Sequence, residues 1–77
     1  MHYRVPSRLA MRRVYGFVAR EVARSGQNGR VVLHADELAL IGSRRVIMPA
    51  LDHFARHGVL EVTRLPKNFE IRLVRKP

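Results

Sequence analysis

The sequence contains no cysteine and no tryptophan, and only five of its 77 residues are aromatic. Without cysteine there is no disulfide framework, no thiolate metal site and no cysteine nucleophile. Few aromatic side chains leave little material for the stacking platforms on which RNA bases are read. No apolar run approaches the length of a membrane span, and the opening stretch MHYRVPSR lacks the apolar core of a signal peptide. These absences lead us to expect a cytoplasmic protein.

Acidic residues are also scarce, because six of them stand against fifteen lysines and arginines and leave a formal net charge of +9. A positive charge of this size on a short chain favours a polyanionic partner, with nucleic acid as the first choice. Thirteen of the cations are arginines, whose planar guanidinium groups suit phosphate. The simpler alternative is an ordinary protein with a basic surface. Nearly half of the residues are apolar, so a single folded domain over residues 1–77 is expected.

An amphipathic first helix is predicted over residues 7–25, after a short N-terminal arm at 1–6. Ser7 is a suitable N-cap, and the stretch SGQNG at 25–29 ends the helix. Apolar residues recur on one face at helical spacing, and arginines lie opposite. The apolar face consists of Met11, Val14, Val18 and Val22, flanked by Tyr15 and Phe17. The opposite face carries Arg13, Arg20 and Arg24, either as a solvated surface or as a secondary anionic contact.

Two further helices are predicted in the middle of the chain. The second helix is expected at 36–41 with Asp36 as its N-cap. The third helix is expected at 43–57 with Ser43 as its N-cap, and Gly58 is a suitable left-handed terminator for it. Two helices joined by a turn of two or three residues make a helix-turn-helix.

Alternating apolar residues predict a strand at 30–34 and a β-hairpin across 59–74. Pro66 and Lys67 suit a two-residue turn at the tip of the hairpin. Such a turn would pair Arg64 with Phe69, Val62 with Ile71, and Leu60 with Leu73. This register stacks four aliphatic side chains on one face and leaves polar ones on the other. The polar ones are Glu61, Thr63, Glu70 and Arg72.

The order helix, strand, helix, helix, strand, strand resembles the winged helix-turn-helix family over almost the whole chain. The residues that carry the resemblance are Leu38 and Ala39, the turn Gly42 and Ser43, the third-helix positions Val46, Leu51 and Phe54, and the hairpin entrance Gly58, Val59 and Leu60. The resemblance implies a small α+β fold with a three-stranded antiparallel sheet, and duplex DNA held by the third helix in the major groove and by the hairpin as a wing. It identifies no subfamily. The spacing from Ala39 to the next glycine is shorter than usual in the family, which predicts a tight or irregular turn.

The third helix divides into a core face and an outward face at about 100° per residue. The core face is expected to hold Val46, Ile47, Ala50, Leu51 and Phe54. The outward face carries Arg45, Met48, Pro49, Asp52 and Arg56, with Arg44 at its edge. Arginines at a helix N-terminus oppose the macrodipole, so a ligand explains them better than helix stability does, although a solvated basic end is the alternative. By the resemblance, the residues expected to contact DNA are Ser43, Arg44, Arg45, Met48, Pro49, Arg56, Arg64 and Lys67.

Two residues fit a DNA-binding face poorly. Pro49 cannot donate to the carbonyl of Arg45, so the helix either begins later than Ser43 or is kinked. Asp52 repels phosphate unless it accepts from a cytosine amine or, as we expect, pairs with Arg56 one turn further on.

The sequence shows no arrangement that indicates catalysis. His53 and His57 have a spacing that suits a metal, but no third ligand is nearby in sequence, and we expect them to border the core. A glycine-rich phosphate loop, paired carboxylates and a nucleophile–base set are all missing. We therefore expect no enzyme activity, no cofactor and no metal, and no pocket for an effector.

The leading hypothesis is a small protein that binds double-stranded DNA with full or partial sequence specificity. It would be a transcriptional regulator or a mobile-element or plasmid accessory factor, nucleoid-associated and acting as a homodimer or cooperative oligomer. The arm at 1–6, with Tyr3 and Val5, is a candidate dimer contact. The alternative is an adaptor or inhibitor that docks on an acidic protein, which Met48, Pro49 and Asp52 would suit. RNA binding shares the charge argument but lacks the aromatic platform.

Overall fold

The computed structural model describes residues 6–75 and contains three helices and one three-stranded antiparallel sheet. In chain order the elements are α1 (Arg8–Ser25), β1 (Arg30–His34), α2 (Ala35–Ala39), α3 (Arg44–Arg56), β2 (Leu60–Arg64) and β3 (Asn68–Leu73). The α+β class and the order of elements are as predicted. Most of the N-terminal arm, with Tyr3 and Val5, lies outside the described residues. None of the helices within residues 6–75 is long and apolar enough to cross a membrane.

The first helix forms as its sequence pattern predicts. The Ser7 hydroxyl oxygen accepts a hydrogen bond of 3.1 Å from the N–H of Ala10, which caps α1. Val14 and Val18 are fully buried. The remaining apolar side chains of this face, Met11, Tyr15, Phe17 and Val22, pack against the core. The arginines predicted to lie opposite, Arg13, Arg20 and Arg24, are exposed.

The sheet has the strand order β1-β3-β2, so β3 is central. The hairpin register is the predicted one, with Arg64 opposite Phe69, Val62 opposite Ile71, and Leu60 opposite Leu73. The N–H of Leu65 donates to the carbonyl of Asn68 at 2.9 Å, which closes the tight turn over Pro66 and Lys67. Because this register turns Leu60 and Ile71 inward together, both are buried in the core.

The tip of the hairpin is attached to the rest of the domain. Strand β1 pairs with β3 along its whole length, from Arg30 opposite Arg72 to His34 opposite Asn68. Just beyond this ladder, the N–H of Ala35 donates to the carbonyl of Lys67 at 3.2 Å. The hairpin tip is therefore held against the start of α2.

The second helix differs from the prediction at both ends. It spans Ala35–Ala39 rather than 36–41, and its N-cap is His34 rather than Asp36. The Nδ1 atom of His34 accepts from the N–H of Asp36 at 3.1 Å, and the Glu37 carboxylate accepts from the N–H of His34 at 3.0 Å. This reciprocal pair is a capping box, and it moves Asp36 into the first turn, where a negative charge favours the helix. The connection between α2 and α3 covers residues 40–43 and is therefore longer than the predicted turn.

The third helix is held by Ile47, Ala50, Leu51 and Phe54, which are all buried as predicted. Val46 was expected in the core, but it is 42% exposed. A neighbour of Val46 is Gly42, which has no side chain to cover it. Ser43 is the N-cap of α3 as predicted, and Pro49 lies inside the helix, so of the two alternatives for Pro49 the later helix start does not hold. Gly58 follows the helix with a φ of 71°, the left-handed conformation predicted for it.

Two glycines in and just after α1 should respond oppositely to alanine. A Cβ at Gly26 would lie 2.6–2.8 Å from backbone atoms of Val22 and Arg30, so α1 or β1 would have to shift. Gly26→Ala should lower the free energy of unfolding by about 1–3 kcal/mol. At Gly16 no heavy atom lies within 4 Å of the Cβ position, apart from the helix's own backbone. Gly16→Ala should raise the free energy of unfolding by up to about 1 kcal/mol, because alanine favours a helix interior.

Urea unfolding followed by circular dichroism measures both changes on one scale. Equal unfolding midpoints for the two variants would contradict the close backbone approach at Gly26.

Candidate nucleic-acid interface

The N-terminal end of α3 presents Ser43, Arg44 and Arg45 to solvent. The Ser43 side chain makes no capping hydrogen bond, while its carbonyl accepts from the N–H groups of Val46 and Ile47. The N–H groups of Arg44 and Arg45 therefore point out of the helix end, where they attract an anion together with the helix dipole. Within residues 6–75, neither arginine has a carboxylate partner. This end of the helix combines open backbone donors with uncompensated positive charge.

The hairpin tip lies at the same end of the molecule. A small hollow of about 80 Å³ separates α2, α3 and β3, and Arg44, Met48, Phe69 and Ala35 line it. Ala35 is also the residue whose N–H binds the carbonyl of Lys67, and the Lys67 side chain is exposed. The structure thus brings Lys67 towards the basic end of α3.

Two of the predicted contact residues play a different part from the one expected. Met48 and Pro49 were placed on the outward face of α3, but both are half-buried. Met48 packs against the core and also lines the hollow beside Arg44. Because Met48 packs against the core as well as lining this hollow, the arc of α3 that is open to solvent is narrower than a helical projection suggests. Met48 therefore lies beneath the N-terminal end of α3, next to Arg44, rather than on the exposed surface.

Asp52 makes a contact that the sequence did not indicate. Its carboxylate accepts a hydrogen bond of 3.1 Å from Nη2 of Arg64, which lies on the neighbouring strand β2. The expected partner of Asp52 was Arg56, and Arg64 was expected to be available at the hairpin tip. Arg56 is exposed on α3. The ion pair partly neutralises Arg64, so its charge is offset before any ligand arrives.

The outer face of the sheet is close to charge balance. Arg30 of β1 lies 3.6 Å from the carboxylate of Glu70 on β3. Arg72 of β3 pairs with Glu61 of β2. Two arginines and two glutamates thus compensate each other across the three strands. This face offers a polyanion little net attraction.

Two of the three arginines on the exposed face of α1 already make contacts within the helix. Nη2 of Arg24 lies 2.6 Å from the Glu21 carboxylate, and this hydrogen bond holds the pKa of Glu21 below its usual value. Nε of Arg20 donates to the carbonyl of Gly16 at 3.4 Å. Arg13 is exposed without such a contact among the described residues. Of the three arginines on this face, Arg24 is the one that has a carboxylate partner within the described residues.

His53 of α3 and His57, which directly follows the helix, lie beside each other. The ring centroids of His53 and His57 are 4.3 Å apart, and His53 meets Phe54 edge-on at 6.2 Å. His53 is half-buried, as expected for a residue that borders the core, whereas His57 is exposed and the same expectation is wrong for it. Across the described part of the chain, no three histidine, aspartate or glutamate side chains are grouped as they would be to hold a metal ion.

A third group of cations was not singled out from the sequence. Arg8, Arg12 and Arg75 border a groove between α1 and the C-terminal end of α3. No ligand pocket was apparent from the sequence, and this groove is visible only in the fold. One signal was present, because Arg8, Arg12 and Gly16 are spaced four residues apart and share one helix face. Arg75 comes from the far end of the chain, and no local pattern connects it to them.

Comparison with protein-family models, with curated proteins and with solved structures finds no match for this chain. Geometry and charge are therefore the features that indicate an interface. Of the eight predicted contact residues, Ser43, Arg44, Arg45 and Lys67 lie exposed towards one end of the molecule. The others differ: Met48 and Pro49 are half-buried, Arg64 is paired with Asp52, and Arg56 lies in the last turn of α3.

The ion pair between Asp52 and Arg64 should contribute little to stability, because both side chains are about half exposed. A double-mutant cycle with Asp52→Asn and Arg64→Gln, measured by urea unfolding, should give a coupling free energy of about 0.2–1 kcal/mol. The coupling should shrink at high salt. A coupling above about 2 kcal/mol would instead mark the pair as a structural link between α3 and β2.

Proposed function

We propose that this chain is a small winged-helix protein that binds double-stranded DNA. In this proposal the N-terminal end of α3 enters the major groove and the hairpin tip rests on the sugar-phosphate backbone. The order of elements supports it, since two consecutive helices, α2 and α3, are joined by a short connection and followed by a β-hairpin, an order consistent with a winged helix. The observation that carries it is the exposed pair Arg44 and Arg45 at an α3 N-terminus with no side-chain cap.

The residues at this end supply two kinds of contact. The guanidinium groups of Arg44 and Arg45 suit guanine edges in the major groove, and bidentate pairing there discriminates between bases. The open N–H groups of α3 and the Ser43 hydroxyl suit a phosphate oxygen. Lys67 would contact a further phosphate and fix the register of the protein without reading sequence.

A single domain of this size makes few base contacts, so operator-grade specificity would need a homodimer or cooperative binding. The role that follows is that of a small transcriptional regulator or a mobile-element or plasmid accessory factor. Such a protein would work in the cytoplasm, associated with the nucleoid.

A second candidate function is docking on an acidic protein, and one observation favours it. Leu40 is 82% exposed and Val46 is 42% exposed, and both lie close in sequence to Arg44 and Arg45. Apolar side chains surrounded by arginines are typical of protein interfaces, where aliphatic contacts are buried and the arginines form the polar rim. Duplex DNA gives an exposed leucine few apolar contacts other than the thymine methyl group.

Replacing an arginine at the start of α3 should weaken binding to duplex DNA. Arg45→Ala should weaken binding by about 1–3 kcal/mol at sites where it reads a guanine, and by less where it only meets phosphate. The measurement is an electrophoretic or fluorescence-anisotropy titration with a set of duplexes. Arg13→Ala is the matched control, since it removes the same charge from α1 and should change affinity little.

The same titrations separate the two candidate functions. DNA binding should fall steeply with rising salt, because each phosphate contact releases counterions. Leu40→Ser should leave the affinity for DNA almost unchanged, whereas it should weaken an apolar protein contact. Undetectable binding to every duplex, or binding that ignores salt, would refute the DNA-binding proposal.

Asp52→Asn should strengthen binding to duplex DNA. The substitution removes a negative charge from the outward side of α3 and releases Arg64 for phosphate. Glu21→Gln is a matched control, because it removes the same charge and releases Arg24, but on α1. Comparable gains from both variants would mean that net charge, rather than the surface of α3, controls the affinity.

A further inference from the structure

A groove of about 760 Å³ runs between the first half of α1 and the last turn of α3. Its volume is within the range of about 300–1,000 Å³ that small-molecule sites have. Its floor is apolar and consists mainly of Met11, Tyr15, Phe54 and Val59. The rings of Tyr15 and Phe54 lie 5.8 Å apart and fix the two helices against each other. The groove is at the opposite end of α3 from Arg44.

The rim of this groove carries positive charge and no negative charge. Arg8 and Arg12 lie one turn apart on α1, Arg75 follows β3, and none of the residues that line the groove is acidic. Nη2 of Arg75 donates to the carbonyl of His57 at 2.6 Å, which holds its guanidinium group at the edge. Among residues 6–75, neither Arg8 nor Arg12 has a carboxylate partner. The rim is therefore suited to an anion.

Gly16 keeps part of the groove open. It lies on the same face of α1 as Arg8 and Arg12, and no heavy atom lies within 4 Å of its Cβ position, apart from the backbone of α1 itself. Glycine is unfavourable in the middle of a helix, so an empty position there needs a reason other than helix formation. Among the described residues no side chain fills this space. Within the described part of the chain, this space is open to a ligand.

We propose that this groove binds a small amphipathic organic anion, namely a carboxylate carried on a medium-chain aliphatic body. The aliphatic part lies over Met11, Tyr15 and Phe54 and passes above Gly16. The carboxylate lies between Arg8 and Arg12, whose forked donors match its planar geometry. This site is separate from the basic end of α3 and does not depend on DNA binding.

Three probes test the carboxylate and the aliphatic body of the proposed ligand together and separately: decanoate, decanol and acetate. Each is titrated into the isotope-labelled 77-residue chain, and backbone amide shifts are followed by NMR without DNA. Decanoate should bind saturably and shift the amides of Met11, Tyr15, Gly16 and Val59. Decanol lacks the charge and acetate lacks the apolar body, so both should bind at least about tenfold more weakly.

Two substitutions locate the site. Arg12→Gln should weaken decanoate binding about tenfold, since a hydrogen-bonded charge pair is lost. Arg20→Gln removes the same charge from α1 outside the groove and should leave binding unchanged. Gly16→Leu should fill the floor and weaken decanoate binding while the amide spectrum stays dispersed.

Three results would overturn the proposal. These are equal affinity for decanol and decanoate, equal effects of Arg12→Gln and Arg20→Gln, and saturable shifts confined to residues outside the groove. Because no DNA is present, each result is independent of whether the chain binds a duplex.

Discussion

The packing of α3 against both the sheet and α1 is the contact on which the rest of the structure depends. Its buried stripe contains Ala50 and Leu51, which are almost inaccessible to solvent, between Ile47 and Phe54. Because this stripe fixes the orientation of α3, its two ends lie beside different parts of the domain. The N-terminal end lies near α2 and the hairpin tip, and the C-terminal end lies against Tyr15 of α1. The two basic surfaces of the domain are consequences of this placement.

The distribution of carboxylates decides which of the many cations are available to a ligand. A net charge of +9 on 77 residues destabilises the compact state by self-repulsion. Where acids are present, they reduce it locally, as Glu61 and Glu70 do on the sheet and Glu21 does on α1. The start of α3 and the rim of the α1 groove have no such compensation within the described residues. Charge that serves only solubility can be spread over the whole surface. Here the uncompensated arginines are instead concentrated at the N-terminal end of α3 and beside the apolar groove of α1.

Much of the fold could be predicted because its patterns are local. The hairpin register follows from the alternation of side chains along each strand and from the position of one turn. Ser7 is recognisable as an N-cap because it directly precedes the first helical residues. The short second helix was misplaced because five residues are too few for a periodic pattern, and because the capping residue His34 also belongs to a strand. The Asp52–Arg64 pair and the groove were missed for another reason. Each joins residues that are distant in sequence, and only the packing of α3 brings them together.

Asp52 fits a DNA-binding helix poorly by its charge, and its pairing with Arg64 gives it a different part at this surface. The ion pair holds the guanidinium group of Arg64 beside the outward face of α3. An exposed pair of this kind is worth only about 0.2–1 kcal/mol, so a phosphate can displace the carboxylate at small cost. On the proposed interface, Asp52 therefore keeps Arg64 oriented in the free protein and weakens binding to every duplex alike. Discrimination between sequences is left to Arg44 and Arg45, which have no competing carboxylate among the described residues.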